Sequence, residues 1–368
     1  MTNTLLWKNL VHDPLRFAIA VAGIGFSAFL MTVQSDLLFG FTEAASRIID
    51  ATDGAIWIMP RGVPCFDYAT HMPAAIRERA HGVPGVAAVG KVAAGFTAIQ
   101  RADGLSQVVL LIGIEDSVAG RLPTGPRGQR NLAIVDVTDA QRLGAAQLPA
   151  DIEIAAKRAR IETNATGFAS FLGSPYLFTA YQDALEYLSV PSGKTMFVIV
   201  KLAPGADASQ TRDLLQTRFP EFDVWEKADF SRRARLFWLV QTGAGGALSL
   251  AAVLGFVIGL AVVSQTMYAA TMEHLDEFAT LKALGASNWT VRRMVIGQSF
   301  LCGIVGAAVG FLAVPPAVTL ASSVITWIVS PLWMYALVGG ALTVLCAAAA
   351  LLAVQPAISI EPGRVFRA

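Results

Sequence analysis

The chain has 368 residues, of which 54% are hydrophobic and only 15% are charged, and its formal net charge is +1. Soluble domains carry about a quarter charged residues, so this composition favours a membrane protein. The near-zero net charge provides no field for binding nucleic acid, and we expect no nucleic-acid partner.

The first apolar segment lies close to the start of the chain. No charged residue occurs from Phe17 to Ser35, a stretch long enough to cross a hydrocarbon core of about 30 Å as a helix. The apolar character continues through Phe39 without a cleavage site, so we predict an uncleaved transmembrane helix over 17–42. Residues 1–16 predict a short cytoplasmic interfacial helix, with a frayed terminus as the alternative.

Residues 43–235 have the composition of a folded globular domain with alternating strand and helix patterns. The predicted strands are 55–59, 107–114, 132–137, 151–157 and 196–202. The predicted helices are Pro73 to Arg79, Thr138 to Leu143 (closed by Gly144) and Ala208 to Phe219. We therefore expect an α+β domain inserted between transmembrane helices.

Two long uncharged stretches follow this domain. The first predicts one transmembrane helix over 236–270, which Thr242 to Gly246 could loosen locally. The second is too long for one crossing, and Ser330-Pro331 divides it into helices over 294–322 and 332–354. The Pro315-Pro316 pair could kink the earlier helix. A charged segment, 271–293, and a tail, 355–368, complete the chain, so the fold class is membrane all-α with four transmembrane helices and an inserted extracytoplasmic α+β domain.

Basic residues give the expected orientation. Lys8 and Arg16 flank the first helix, Lys282, Arg292 and Arg293 lie between the second and third, and Arg364 and Arg367 follow the fourth. Cytoplasmic segments are enriched in Lys and Arg, so we predict cytoplasmic termini and an extracytoplasmic 43–235 domain. Arg232, Arg233 and Arg235 would then lie outside, although long translocated domains largely escape this rule.

Two groups of residues resemble chemical sites but do not fit their patterns. Gly193-Lys194-Thr195 resembles the end of a phosphate-binding loop, but Leu188 stands where that loop needs glycine. Cys65, Asp67, His71 and His81 have no standard metal-ligand spacing, which favours a solvated loop over a metal site. We therefore expect no catalytic residue, metal or cofactor in this chain.

Glycine pairs mark two of the predicted transmembrane helices. Gly255 and Gly259 lie in the second, and Gly306 and Gly310 in the third, at the spacing that lets helix backbones approach closely. The pairs are equally compatible with packing inside one chain and with a dimer interface. Asp36, near the outer end of the first helix, could lie at headgroup level or be a buried residue of a pathway.

The charged segment between the second and third helices is amphipathic. Phe278, Leu281 and Leu284 alternate with Glu277 and Lys282 in a helical pattern. Gly285 ends the pattern, so we predict a short helix that presses its apolar side against a cytosolic partner. An ordinary connecting loop is the alternative.

The segment EHLDEFATLKALGAS resembles the cytoplasmic coupling segment of FtsX/MacB-superfamily permeases, and most of all that of DevC-type permeases. Three further blocks resemble the same family in order: RFAIAVAGIGFSAFLMTVQSDLLFGF, KLAPGADASQTRDLL and EPGRVFRA. MacB carries a fused ATPase, whereas this chain contains no ATPase motif.

The resemblance implies a homodimeric permease in the bacterial inner membrane, working with a separate ABC ATPase that holds ATP and Mg and with a periplasmic adaptor. It also implies export of a glycolipid or other amphiphile, driven by motion passed from the ATPase to the outer domain. The residues that would couple to the ATPase are Glu273, His274, Glu277, Phe278, Leu281, Lys282, Leu284 and Gly285. An FtsX-like transmitter that activates an extracytoplasmic hydrolase without transport is the alternative function.

Overall fold

The computed structural model describes residues 14–124, 130–273, 275–322 and 325–359. The helices, in chain order, are α1 (Pro14–Ala51), α2 (Ile76–His81), α3 (Tyr181–Tyr187), α4 (Ala208–Arg218), α5 (Lys227–Leu236), α6 (Gly243–Glu273), α7 (Leu275–Ala283), α8 (Asn288–Ala321) and α9 (Leu332–Ser359). The strands are β1 (Ile56–Pro60), β2 (Met72–Pro73), β3 (Val86–Arg101), β4 (Ser106–Ile114), β5 (Leu132–Asp136), β6 (Ala150–Ile154), β7 (Lys157–Ala165), β8 (Tyr176–Ala180), β9 (Lys194–Thr195), β10 (Phe197–Leu202) and β11 (Phe222–Glu226).

The chain divides into two compact units. A helical unit takes residues up to Gly40, Gly246–Ser322 and the residues from Ile328 onward. An α+β unit takes Phe41–Gly245 with residues 325–327. The predicted fold class, a membrane all-α protein with an inserted α+β domain, is therefore confirmed. Most of the predicted interfacial helix over 1–16, and the tail beyond Ser359, lie outside the described residues.

Four helices, α1, α6, α8 and α9, are long and apolar enough to cross a membrane. Their shared core includes Ile24, Ala28 and Met31 of α1, all fully buried. Val263 of α6 and Val338 of α9 pack in the same cluster. Because the outward faces of these helices carry many exposed apolar side chains, the helical unit has the surface that a bilayer requires.

The helix predicted over 236–270 is interrupted near its start. After α5, Phe237–Gln241 form a π-helical turn, and Thr242 is extended with φ −112° and ψ 149°. The Thr242 hydroxyl accepts a hydrogen bond of 3.2 Å from the Gly245 amide, which caps a new helix, α6. The π turn and α5 belong to the α+β unit, so the membrane helix begins later than its hydropathy predicted.

A nine-stranded sheet in the order β11-β1-β10-β3-β4-β8-β5-β7-β6 forms the α+β unit. The 16-residue strand β3 pairs with β10 along Val86–Val92 and with β4 along Val92–Gln100. Its last residues, Ile99–Arg101, also pair with β6. A barrel is therefore closed by six strands in the order β3, β4, β8, β5, β7 and β6. Strands β10, β1 and β11 extend it as an open sheet.

Two elements predicted from the sequence differ in the structure. The single strand over 151–157 is the first half of a hairpin, in which β6 and β7 are joined by Ala155 and Ala156. The helix over Thr138 to Leu143 is wrong, because these residues form hydrogen-bonded turns. The Asp136 carboxylate accepts hydrogen bonds from the Thr138 amide at 3.0 Å and hydroxyl at 2.7 Å, which favours a turn over a helix start.

Strand β1 carries buried side chains on both of its faces. Ile56 and Ile58 join an aliphatic cluster with Leu215 and Phe219 of the α4 region. Trp57 points the opposite way and meets the Phe230 ring of α5 with a centroid distance of 5.3 Å. Helix α5, which leads into the π turn, is therefore fixed by aromatic packing.

Candidate functional site

The segment between α6 and α8 holds the predicted coupling residues. Helix α7 ends in a left-handed glycine, with Gly285 at φ +94°. The Ala286 amide donates to the Leu281 carbonyl at 3.0 Å, and the Gly285 amide donates to the Lys282 carbonyl at 3.0 Å. These two bonds form a Schellman motif, which satisfies carbonyls at the helix end and requires a residue that tolerates positive φ.

The next helix begins immediately after this turn. The Ser287 side chain caps α8 by accepting a hydrogen bond from the Thr290 amide at 3.3 Å. Helix α8 therefore starts at Asn288, earlier than the predicted 294–322. The turn from Leu284 to Ser287 is fixed by a helix end on one side and a helix cap on the other.

The apolar residues of the segment divide into two groups. Leu281 is half-buried and packs with Leu275 against a small core of Val291, Val295 and Ala350. Residues of α8 and α9 cover part of Leu281, and its contact with a partner stays a prediction. Leu284, by contrast, is 81% exposed.

Trp289 was missed by the sequence reasoning. It lies in the first turn of α8 and is 69% exposed. Trp289 follows the exposed Leu284 by five residues, and exposed Trp is enriched in binding surfaces. The available signal was a Trp two residues after Ser287, inside the predicted coupling segment 271–293 but beyond the helix that Gly285 was expected to end. We define the exposed pair of Leu284 and Trp289 as the apolar turn.

The polar residues of the segment lie on both sides of this turn in sequence. Glu273 and Glu277 are exposed and Lys282 is half-buried, and each of them takes part in further interactions within the chain. His274 lies outside the described residues, and Phe278 belongs to α7. Arg293 is exposed in the second turn of α8, four residues after Trp289. It therefore adds positive charge beside the apolar turn.

The predicted glycine pairs pack against α1 of the same chain. A Cβ added at Gly306 would lie 2.7 Å from the Ile24 Cβ, and one at Gly310 would lie 2.8 Å from the Ala28 Cβ. A Cβ added at Gly255 would lie 3.1 Å from the Gln34 Cγ, and Gly259 is closer still to Met31. All four glycines therefore permit close helix approach inside the helical unit.

Asp36 is fully buried in the helical unit. The Ser330 hydroxyl donates a hydrogen bond to its Oδ2, and the Tyr335 hydroxyl is 3.0 Å from that of Ser330. Its Oδ1 atom has no hydrogen-bond partner in the described part of the chain. Asp36 is therefore buried among residues of the helical unit, and a role in a pathway stays a prediction.

The phosphate-loop-like motif and the Cys, Asp and His group both lie in the α+β unit. Gly193-Lys194-Thr195 leads into a two-residue strand pairing with β2, without the helix that a phosphate-binding loop precedes. Cys65 and Asp67 are buried, which corrects the expectation of a solvated loop, while His71 and His81 are exposed. Burial raises the pKa of Cys65 to about 12, so the thiol stays protonated. Within the described ranges, no three His, Cys, Asp or Glu side chains are grouped as metal ligands.

Comparison with known proteins gives one family match. Residues 249–362, which include most of α6 and all of α7, α8 and α9, match the family described as FtsX-like permease C-terminal. No curated protein gives a significant match to the chain.

Two solved structures are similar to the chain over about half its length. The periplasmic region of MacB from Actinobacillus actinomycetemcomitans is 10% identical with a TM-score of 0.39, and the match covers 50% of this chain and 92% of that one. The extracellular domain of the noncanonic ABC-type transporter YknZ from Gram-positive bacteria is 12% identical with a TM-score of 0.34, covering 47% of this chain and 98% of that one. Scores this low do not establish a shared fold.

Proposed function

We propose that this chain is the membrane subunit of an ATP-driven ABC exporter of DevC or MacB type. The match of residues 249–362 to the FtsX-like permease C-terminal family and the resemblance of the sequence to FtsX/MacB-superfamily permeases support the proposal. Its ATPase is a separate subunit that supplies ATP and Mg, and this chain hydrolyses nothing itself. The observation that carries the proposal is the apolar turn, an exposed Leu and Trp on a rigid connection between two membrane helices.

The apolar turn is the part that docks on the ATPase. Leu284 and Trp289 are 81% and 69% exposed, so both have surface to bury in a groove of a partner. Full burial of a large apolar side chain stabilises a complex by about 2 kcal/mol. The charges of Glu273, Glu277, Lys282 and Arg293 lie at the rim of this contact, where they set orientation more than affinity.

Motion of the ATPase reaches the rest of the permease through the helices that flank the turn. The turn is bounded by the Schellman motif of α7 and the Ser287 cap of α8, so a displacement of the turn moves α8 as a body. Gly306 and Gly310 hold α8 against α1, and α1 continues to Ala51. This chain of rigid elements supports transmission of ATP-driven closure toward the α+β unit.

In this proposal the apolar turn is cytoplasmic, both termini are cytoplasmic, and the α+β unit is periplasmic in a bacterial inner membrane. The α+β unit then contacts a periplasmic adaptor, and the cargo is a glycolipid or other amphiphile. A homodimer provides the two membrane subunits that the ATPase pair closes. The basic residues that flank the predicted cytoplasmic segments support this orientation.

Co-purification with the cognate ATPase in detergent tests the proposal. We expect Trp289→Ala to weaken the complex by about 2 kcal/mol, roughly a thirtyfold loss of affinity, and Leu284→Ala to weaken it by about tenfold. The matched control is Leu332→Ala, because Leu332 is 87% exposed but begins α9 at the opposite connection. ATPase binding that is unchanged in both turn variants, or lost in the Leu332 control alone, would refute the docking role.

A further inference from the structure

An open cavity lies where α5 leads into the π turn. It has a volume of about 700 Å³ and is lined by Pro64, Trp225, Arg232, Arg233, Leu236 and Phe237, among others. Its wall therefore combines two guanidinium groups with aromatic and aliphatic side chains. We refer to it as the arginine cavity.

The charges in the arginine cavity do not cancel. Arg232 forms an ion pair with Asp229, which also lines the cavity. The Arg233 guanidinium lies over the Trp225 ring at 5.1 Å from its centroid, and no carboxylate among the described residues pairs with it. Arg235 is engaged elsewhere, in ion pairs of 3.1 Å with Glu43 and Asp50. Arg233 is therefore a positioned cation with hydrogen-bond donors left for an anion.

Exposed apolar side chains continue from the cavity toward α6. Leu236 is 52% exposed and Val240 is 70% exposed. Tyr68 is 53% exposed and meets the Phe237 ring with a centroid distance of 5.5 Å. Aromatic and aliphatic side chains next to arginines are typical of the membrane interface, where rings and guanidinium groups lie at headgroup level.

The position of the cavity in the chain places it near a bilayer. The π turn ends at Gln241, and the candidate membrane helix α6 begins at Gly243. Gln241, which also lines the cavity, is two residues before Gly243 and so lies at most about 8 Å from the start of that helix along the chain. The polar headgroup layer adds about 5–8 Å to each side of the hydrocarbon core. A lipid headgroup can therefore reach the cavity while its acyl chains stay in the bilayer.

We propose that the arginine cavity binds the phosphate of an anionic membrane lipid. The guanidinium of Arg233, held over the Trp225 ring, donates paired hydrogen bonds to the phosphate oxygens, and Arg232, which is paired with Asp229, borders the same cavity. Leu236 and Val240 lie along the upper part of the acyl chains. Lys and Arg are usually enriched in cytoplasmic segments, whereas these arginines precede α6 on the extracytoplasmic side of the proposed topology. Binding of an anionic lipid gives a reason for their presence there.

The test uses the full chain in a neutral detergent and dioctanoyl phosphatidylglycerol below its micelle concentration, with binding followed by native mass spectrometry. We expect phosphatidylglycerol to bind at least about tenfold more tightly than dioctanoyl phosphatidylcholine, which has the same chains but no net charge. Arg233→Gln should weaken phosphatidylglycerol binding by about tenfold, as expected for loss of a charge-assisted hydrogen bond. Arg218→Gln, an exposed arginine on α4 away from the cavity, should change nothing.

Two further arms keep the outcome decisive. Val240→Gln alters an exposed side chain that the fold does not need, and it should weaken lipid binding without affecting inorganic phosphate. Inorganic phosphate alone should compete only at far higher concentration than the lipid. Equal binding of the two lipids, wild-type binding by both the Arg233 and Val240 variants, or equal competition by free phosphate would each overturn the proposal. None of these results depends on the ATPase, so they leave the exporter proposal to its own test.

Discussion

The indole nitrogen of Trp238 donates a hydrogen bond of 3.1 Å to the Oδ2 of the buried carboxylate of Asp67. Trp238 lies in the π turn before α6, and Asp67 lies in a short 3-10 helix far away in sequence. The Trp238 ring also packs edge to face on Phe171 with a centroid distance of 5.0 Å. The bond therefore fastens the connection before a membrane helix to the interior of the α+β unit.

Asp67 makes the stability of this unit depend on pH. Burial raises the pKa of Asp67 from 3.8 to about 6, although the Trp238 hydrogen bond opposes the shift. The folded chain thus binds this proton more tightly than the unfolded chain, and the resulting stabilisation is complete below about pH 4 and lost as the pH rises through about 6. We expect the thermal midpoint of the wild type to fall relative to that of Asp67→Asn between about pH 4 and pH 7, by the equivalent of at most about 3 kcal/mol.

Thermal unfolding followed by intrinsic fluorescence measures this difference. The Asn side chain keeps an acceptor for Trp238 and removes the titration, and Asp213→Asn at an exposed carboxylate is the control. Parallel pH profiles for the wild type and Asp67→Asn would contradict the prediction. They would show that the folded chain binds the Asp67 proton no more tightly than the unfolded chain does.

The hairpin between β6 and β7 offers a stabilising substitution. Ala155 and Ala156 both have positive φ, 49° and 61°, as a two-residue type I′ turn requires. Alanine is strained in this region, whereas Asn and Gly occupy it readily. We expect Ala155→Asn with Ala156→Gly to stabilise the chain by about 1 kcal/mol, read as a higher thermal midpoint. Ala87→Gly is the control, in the exposed part of β3 where φ is not positive, and it should lower the thermal midpoint. A lower midpoint in the turn variant would contradict the prediction that Ala155 and Ala156 are strained.

Helix packing at Gly310 provides a third prediction. A Cβ at this position would lie 2.8 Å from the Ala28 Cβ, so Gly310→Val must push α8 away from α1. We expect a loss of about 1–3 kcal/mol, measured as a lower midpoint and reduced monodispersity in detergent. A Cβ added at Gly340 would meet nothing within 4 Å, so Gly340→Val is the matched control. A larger loss in the Gly340 variant would mean that the face of α9, not that of α8, is the packed one.

Local sequence patterns predicted some of these features and could not predict others. The length of the uncharged stretches predicted the membrane helices α1, α8 and α9, and Gly285 predicted the end of α7. Both signals depend only on residues that are neighbours in sequence. The cover over Leu281 depends on Val291 and Ala350, which only the folded chain brings to it. The burial of Asp67 likewise depends on Trp238, and the strand β3 escaped notice because Gly90 and Gly95 interrupt its alternation. Closure of the barrel requires pairing of β3 with β6, which no local pattern encodes.

The orientation of the chain gives the last prediction. The described cysteines, Cys65, Cys302 and Cys346, are all buried, so they contribute little background to labelling by a membrane-impermeant maleimide. Ala102 is exposed in the turn between β3 and β4, and Asn288 is exposed at the start of α8. We expect Ala102→Cys to react in cells whose outer membrane alone is permeable, because the α+β unit is periplasmic in the proposed topology. Asn288→Cys should react only after the inner membrane is opened, because Arg292 and Arg293 mark its segment as cytoplasmic.

The two substitutions control for each other, since both replace exposed residues outside the membrane helices and both must react fully in opened cells. Reaction of Asn288→Cys in intact inner membranes together with protection of Ala102→Cys would reverse the topology and remove the apolar turn from the compartment where ATP is available. Reaction of both would mean that α6 does not cross the bilayer, because α6 is the span that separates the α+β unit from the turn. Only reaction of Ala102→Cys with protection of Asn288→Cys agrees with an ATPase docking at Leu284 and Trp289.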